Sequence, residues 1–210
     1  MPVDAAAAPS LGPTSPPLVV VLSGPSGVGK DAVIQRMIEL GYPVLMPVTM
    51  TTRPPRDAEV DGIHYRFVDD DAFDRALADG ELLEHAEVYG RRYGVPRSGV
   101  RQALDSGNHV LIRVDVQGAA SLRETLPDAL TIFLVPDDPA HLERHLRERG
   151  SEDDTALRLR LDTAARELAE APHFDHVIEN VEGDLDATVE ALAAVIRAEA
   201  KREGRGPPHV

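Results

Sequence analysis

"LVVVLSGPSGVGKDA" spans Leu18 to Ala32. Its apolar run, Leu18 to Ser23, is rich in β-branched residues, stops at a glycine-rich turn, and leads into Lys30 and Asp31. A short continuous run of this kind suits a strand buried on both faces. Strand, glycine-rich turn and helix together form the setting of the phosphate-binding pattern G-x-x-x-x-G-K-[ST], and Gly24, Gly29 and Lys30 hold its fixed positions. Glycines let backbone N–H groups approach phosphate oxygens, the helix N-terminus adds a favourable dipole, and Lys30 adds a positive charge. A strand-to-helix turn without a ligand would need neither so many glycines nor the lysine. The last motif position, normally a hydroxyl that reaches magnesium, is Asp31. Two readings of it stand side by side. An acid in a first helical turn is stabilised by the dipole, by roughly 0.3–1 kcal/mol, with no further role. Alternatively, the carboxylate replaces the hydroxyl as a magnesium ligand or holds a metal-bound water, as suits that hard cation.

The 210-residue chain carries a net charge of -14. That balance argues against a nucleic-acid-coating surface and requires any phosphate site to gather its cations locally. The chain has no cysteine, which excludes disulfides, thiolate metal sites and thiol catalysis. No apolar run approaches the ~20 residues of a membrane span. Residues 1–17, small, Pro-rich and without a basic start, read as a disordered extension, and 204–210 as a flexible tail. A cytoplasmic protein is the simplest inference, and both a monomer and a homo-oligomer are compatible with it.

Further core strands are expected in "HVLIRV" (His109 to Val114), "LTIFLV" (Leu130 to Val135) and "HVI" (His176 to Ile178). The helix after the loop should bury Val33, Ile34, Met37, Ile38 and Leu40 and stop at Gly41; the last helix should bury Leu185, Val189, Leu192 and Ile196. Strands alternating with helices imply an α/β fold with a parallel sheet covered on both faces. From about 49 to 97 the pattern changes to short strand-like pieces, "HYRFV" and "LLEHAEVY", around one helical piece (Asp71 to Asp79), which reads as an insertion. "RERGSEDDTALRLR" mixes charges densely and reads as a mobile flap. Within the insertion, Arg53 and Arg56 lie close together in an acidic chain and suit a phosphate dianion, which guanidinium binds by paired hydrogen bonds. A solvated loop with turn prolines would look the same.

The ordered set "SGPSGVGK", "TTRPPRDAEVDGIHYRF", "EHAEVYGRRYG", "VDVQG" and "RERGSEDD" resembles guanylate kinase, of the P-loop nucleoside monophosphate kinase class, over about Leu18 to Ala200. The resemblance implies a three-layer P-loop fold over 18–203, with a GMP-binding insertion near 49–97 and a helical lid near 149–160. It implies transfer of a phosphoryl group from ATP to GMP, and also to dGMP, with Mg2+. Gly24, Pro25, Ser26, Gly27, Val28, Gly29, Lys30 and Asp31 would hold ATP, with Asn180 near its adenine. Arg53, Arg56, Tyr65 and Tyr93 would hold the GMP phosphate, and Glu59 would orient the arginines. Glu84 would accept from the guanine N1–H and amino group, donors that adenine does not present in that arrangement, and Thr49 would lie near O6. Asp115 would serve both guanine and magnesium-bound water, making Asp31 and Asp115 the metal pair. Lys30, Arg149 and Arg160 would neutralise the transferring group.

Four residues depart from the family pattern: Asp31 for the loop hydroxyl, Val95 for a hydroxyl after "YG", Arg113 for an acid before "VD", and His145 for an arginine facing ATP. Two rivals share the fold. Ribose 1,5-bisphosphate phosphokinase also has a loop ending in G-K-D, but a sugar phosphate would not need the pocket of Arg56, Glu59, Tyr65 and Glu84. A guanylate-kinase-like phosphopeptide-binding module would have lost the ATP loop, which is intact here.

Overall fold

The computed structural model describes residues 16–88, 90–148, 154–203 and 209–210. The first half contains β1 (Val19–Ser23), α1 (Lys30–Glu39), β2 (Val44–Leu45), β3 (Met50–Thr51), β4 (Arg66–Phe67), α2 (Asp70–Ala78), β5 (Leu82–Val88) and β6 (Arg91–Pro96). The second contains α3 (Arg97–Asp105), β7 (His109–Arg113), α4 (Val116–Thr125), β8 (Leu130–Pro136), α5 (Pro139–Glu148), α6 (Asp154–Leu168), β9 (His176–Asn180) and α7 (Leu185–Ala200).

Every residue of β1 is buried, and β1 is the centre of a five-stranded sheet ordered β2-β7-β1-β8-β9. All its pairings are parallel. Alternate β1 residues feed two cores, as the period of a strand requires. Val20 and Leu22 pack with Val33, Ile34 and Met37 of α1 and with Val189, Leu192 and Ile196 of α7. Val19 and Val21 pack on the other face with Val100 of α3 and Leu122 of α4. Each such side chain contributes roughly 1.5–3 kcal/mol by leaving water. The two layers of helices therefore hold the carboxyl ends of β1 and β7 in fixed positions.

α1 buries a narrower stripe than its sequence suggests. Ile38 is 42% exposed. It lies about 40° beyond Ile34 around the helix, past the edge of the packed face. Gly41 ends the helix with φ 78. Its N–H donates to Ile38 and the Tyr42 N–H reaches back to Met37, a paired closure that favours glycine at this position.

Residues 50–96 form a second sheet, ordered β4-β3-β6-β5. α2 packs Phe73 and Ala76 against Met50 and Leu82 beneath it. The helix begins one residue earlier than expected because Asp69 accepts from the Ala72 N–H and caps it. β5 and β6 pair antiparallel with a register shift between Leu82 and Glu84. A bulge of this kind re-aims side chains. Leu82 joins the α2 core, Leu83 joins the main core with Val95 and Leu122, and Glu84 is buried as well. One irregular step therefore ties the second sheet to the first and turns a carboxyl group inward.

The described part of the expected flap is helical, from Asp154 through α6. The expected extension lies outside the described residues up to residue 15, as do 149–153 and, in the tail, 204–208. Among the described residues no helix is long and apolar enough to cross a membrane.

Candidate active site

The turn from β1 into α1 is shaped by glycines that cannot be replaced without strain. Gly24 has φ +145, and a Cβ there would lie 2.5 Å from the Leu134 carbonyl oxygen of β8. Gly29, the residue before α1, is left-handed, and a Cβ there would lie 2.6 Å from Asn180 Nδ2. Asn180 in turn donates to the Val28 carbonyl at 2.7 Å, so the end of β9 braces the loop. Its Oδ1 is buried and has no hydrogen-bond partner among the described residues. Lys30 folds back over the loop, donating to the carbonyls of Gly24 at 2.5 Å and Pro25 at 3.1 Å. Burial lowers its pKa, an effect that the nearby Glu167 carboxylate opposes.

The loop forms one wall of a cavity of about 490 Å³ between the two sheets. Gly24, Ser26, Gly27, Gly29, Lys30 and Asp31 line it on one side; Thr49 and Tyr65, just before β3 and β4, with Glu84 of β5 and Tyr93 of β6, line it on the other, and Asp115 lies between. Residues far apart in sequence, expected to bind donor and acceptor, thus face a single space. Burial, reinforced by the Asp115 carboxylate, pushes Glu84 up to about 7. Asp115 caps α4, accepting from the Gly118 N–H at 2.8 Å. A Cβ on Gly118 would stand 2.9 Å from Val114 and 3.1 Å from Glu84 Oε1, so this glycine makes room for the buried carboxyl.

Other expected residues stand behind this wall. Arg53 pairs with Glu59 at 2.7 Å and lies over the Tyr65 ring at 5.3 Å. The second Glu59 oxygen accepts from the Arg56 N–H. The Arg53 guanidinium, with the Arg56 N–H, holds Glu59 down to about 2. Arg53, Arg56 and Glu59 do not line the cavity, but they adjoin Tyr65, which does. Val28 and Asn180 line a neighbouring cavity of about 340 Å³ with His141, His145 and Glu182. His145 lies 3.3 Å from the Gly27 carbonyl, on the far side of the loop. Arg160 lies on α6 outside both cavities, and Arg149 lies outside the described residues.

Two departures from the family pattern meet in space: Arg113, at the end of β7, donates to Asp31 in the first turn of α1. The sequence separates them by 82 positions and gives no sign of the pairing. A second residue missed by sequence reasoning is Glu167 of α6. Its carboxylate accepts from the Ser26 N–H of the loop at 3.1 Å. In the sequence it is one more acid on a charged helix; only its spacing of seven from Arg160, two turns on one face, hints that α6 faces the loop.

The donor set suits magnesium. Asp31 and Asp115 offer hard carboxylate oxygens to the same cavity. Among the described residues no group of three or more such ligands is assembled. Magnesium is typically held by one or two carboxylates together with waters and substrate phosphates.

The guanylate kinase family model matches residues 17–199. A guanylate kinase of Thermobifida fusca is 42% identical over 198 residues, 94% of this chain and 98% of that protein. One from Leifsonia xyli is 49% identical over 164 residues, 77% of this chain; the match spans 64% of that longer protein. The crystal structure of a guanylate kinase from Anaplasma phagocytophilum superposes with a TM-score of 0.70 at 33% identity, covering 91% of this chain and 90% of that one.

Proposed function

The chain belongs to the guanylate kinase family, and from that premise we propose that it transfers the terminal phosphoryl group of ATP to the phosphate of GMP, giving ADP and GDP. One observation carries the reading: a phosphate loop with its lysine and a buried carboxyl on the second sheet face the same cavity. The glycine-rich loop, its N–H groups and Lys30 would cradle the ATP phosphates. The neighbouring cavity would take the adenine, where the Oδ1 of Asn180, without a partner among the described residues, offers an acceptor for an amino group.

Across the space, Glu84 would accept the two guanine donors once ionised, with Thr49 near O6 and Asp115 beside them. Tyr65 and Tyr93 would bind the GMP phosphate from the wall. Arg53 and Arg56 would add charge from behind, held by Glu59. dGMP would be accepted too, since these contacts go to the base and phosphate. The acceptor is already an anion, so no base is needed to take a proton. An oxygen of the GMP phosphate forms the new P–O bond as the bond to the ADP oxygen breaks, in line. Positioning and charge neutralisation then account for the rate, from Lys30, the loop N–H groups, Arg160 and Arg149.

Magnesium, arriving with ATP, would neutralise charge on the phosphates while Asp31 and Asp115 hold its water or the ion itself. An assay coupled to ADP release tests the reading: GMP should be turned over far faster than AMP. Equal rates, or turnover of ribose 1,5-bisphosphate in place of GMP, would sink it.

A further inference from the structure

We propose that Arg113 is a phosphate-contacting catalytic residue of this site, held against the phosphate loop by Asp31. The proposal rests on the kinase reading above. Arg113 closes β7, in register with Leu22 of β1, one residue before the end of that strand. Its side chain therefore leaves the sheet at the carboxyl ends of parallel strands, where such sheets bind ligands. It lines the same cavity as Lys30 and the loop glycines. Its Nη1 donates to Asp31, so the guanidinium is anchored one residue from Lys30.

The charge of the cavity makes a bystander role hard to sustain. Among the described residues its lining has two cations, Lys30 and Arg113, against four carboxyl groups, Asp31, Glu84, Asp115 and Glu167. An anionic substrate entering such a wall needs every local positive charge. A guanidinium has five N–H donors, and Asp31 takes one through Nη1. The planar fork matches phosphate geometry, and the ion pair fixes its direction before substrate arrives. The simpler alternative is that Arg113 only neutralises Asp31.

Binding of inorganic pyrophosphate to the full chain, measured by titration calorimetry in EDTA, separates the two without metal or chemistry. R113A should bind about tenfold more weakly, the loss expected for a hydrogen bond to a charged group. R113K should recover part of that affinity, as a charge without the fork. D31N should bind more weakly than the unaltered chain but more tightly than R113A, because the guanidinium keeps its charge and loses its anchor. The double variant D31N/R113A should stay as weak as R113A. If the double variant returns to the original affinity, or R113A never loses it, the proposal is wrong. K30M serves as the control for the underlying reading. If K30M binds pyrophosphate normally, the phosphate site itself has been misplaced; if K30M loses binding while R113A keeps it, only the role of Arg113 fails. In turnover, R113A should lower kcat while leaving the KM for GMP unchanged.

Discussion

The two walls of the cavity recognise their ligands by different physical means. The loop wall is local: six neighbouring residues, glycine conformations and one lysine do the work, on a turn locked between β1, β8 and β9. The wall of the second sheet is assembled from distant pieces, Thr49, Tyr65, Glu84 and Tyr93, on β-structure that includes a bulge. Backbone N–H groups are present whatever side chains the loop carries, so the loop tolerates Asp31 where a hydroxyl is usual. A wall built of side chains has no such reserve. Changes on the loop wall should therefore alter ATP use and rate, and changes on the opposite wall should alter GMP recognition.

The largest expected effect is on the loop side. Lys30→Met should lower kcat by about 100- to 1000-fold, the cost of removing one preorganised charge from the transferring group. Stopped-time ADP release would measure it, and the KM for GMP should hardly move. Next comes Glu84→Gln, which should raise the KM for GMP by about 10- to 100-fold and leave ATP alone, because one guanine donor would face an amide N–H.

The same residue sharpens the comparison through pH. Glu84 must be ionised to accept two donors, and in the free protein it titrates near 7 instead of 4.5. kcat/KM for GMP should fall as pH drops from about 8 to 6, and the E84Q profile should lack that titration. Stability runs the other way. The folded chain keeps a proton that the unfolded chain releases between about 4.5 and 7, so Glu84 costs stability as pH rises through that window. E84Q should accordingly melt higher than the unaltered chain at pH 8, as measured by scanning calorimetry.

Two smaller effects on the loop side have opposite signs. Asn180→Ala removes the brace on the Val28 carbonyl. It should raise the KM for ATP by about 3- to 10-fold, the worth of one neutral hydrogen bond. Glu167→Gln weakens a carboxylate that occupies the Ser26 N–H and faces incoming phosphate. It should lower the KM for ATP by about 2- to 5-fold, the range of a partly exposed charge. Neither variant should shift the KM for GMP in steady-state assays; a shift would mean that the walls are coupled.

The contrast between the walls also explains what could be read from the sequence. β1, the loop and Lys30 form one contiguous pattern, and the buried runs of β7 and β8 are too apolar to be anything but core. β2, β3 and β4 are two residues long, below the length at which any periodicity registers. The bulge buries Leu82, Leu83 and Glu84 in succession, which breaks the alternation by which a half-buried strand is recognised. Glu84 could therefore be picked out only by resemblance. Asp31 and Arg113 looked like two independent departures because their pairing exists only in space. The excess width given to the α1 stripe at Ile38 has a similar cause: a helical wheel shows direction but not where the neighbouring layer ends.

The division of labour is tested most directly by equilibrium binding of ATP and of GMP, each titrated separately into K30M and E84Q. K30M should lose ATP affinity and keep that for GMP, and E84Q should do the reverse. Loss of both affinities together in either folded variant would contradict an account in which one cavity has two independent walls.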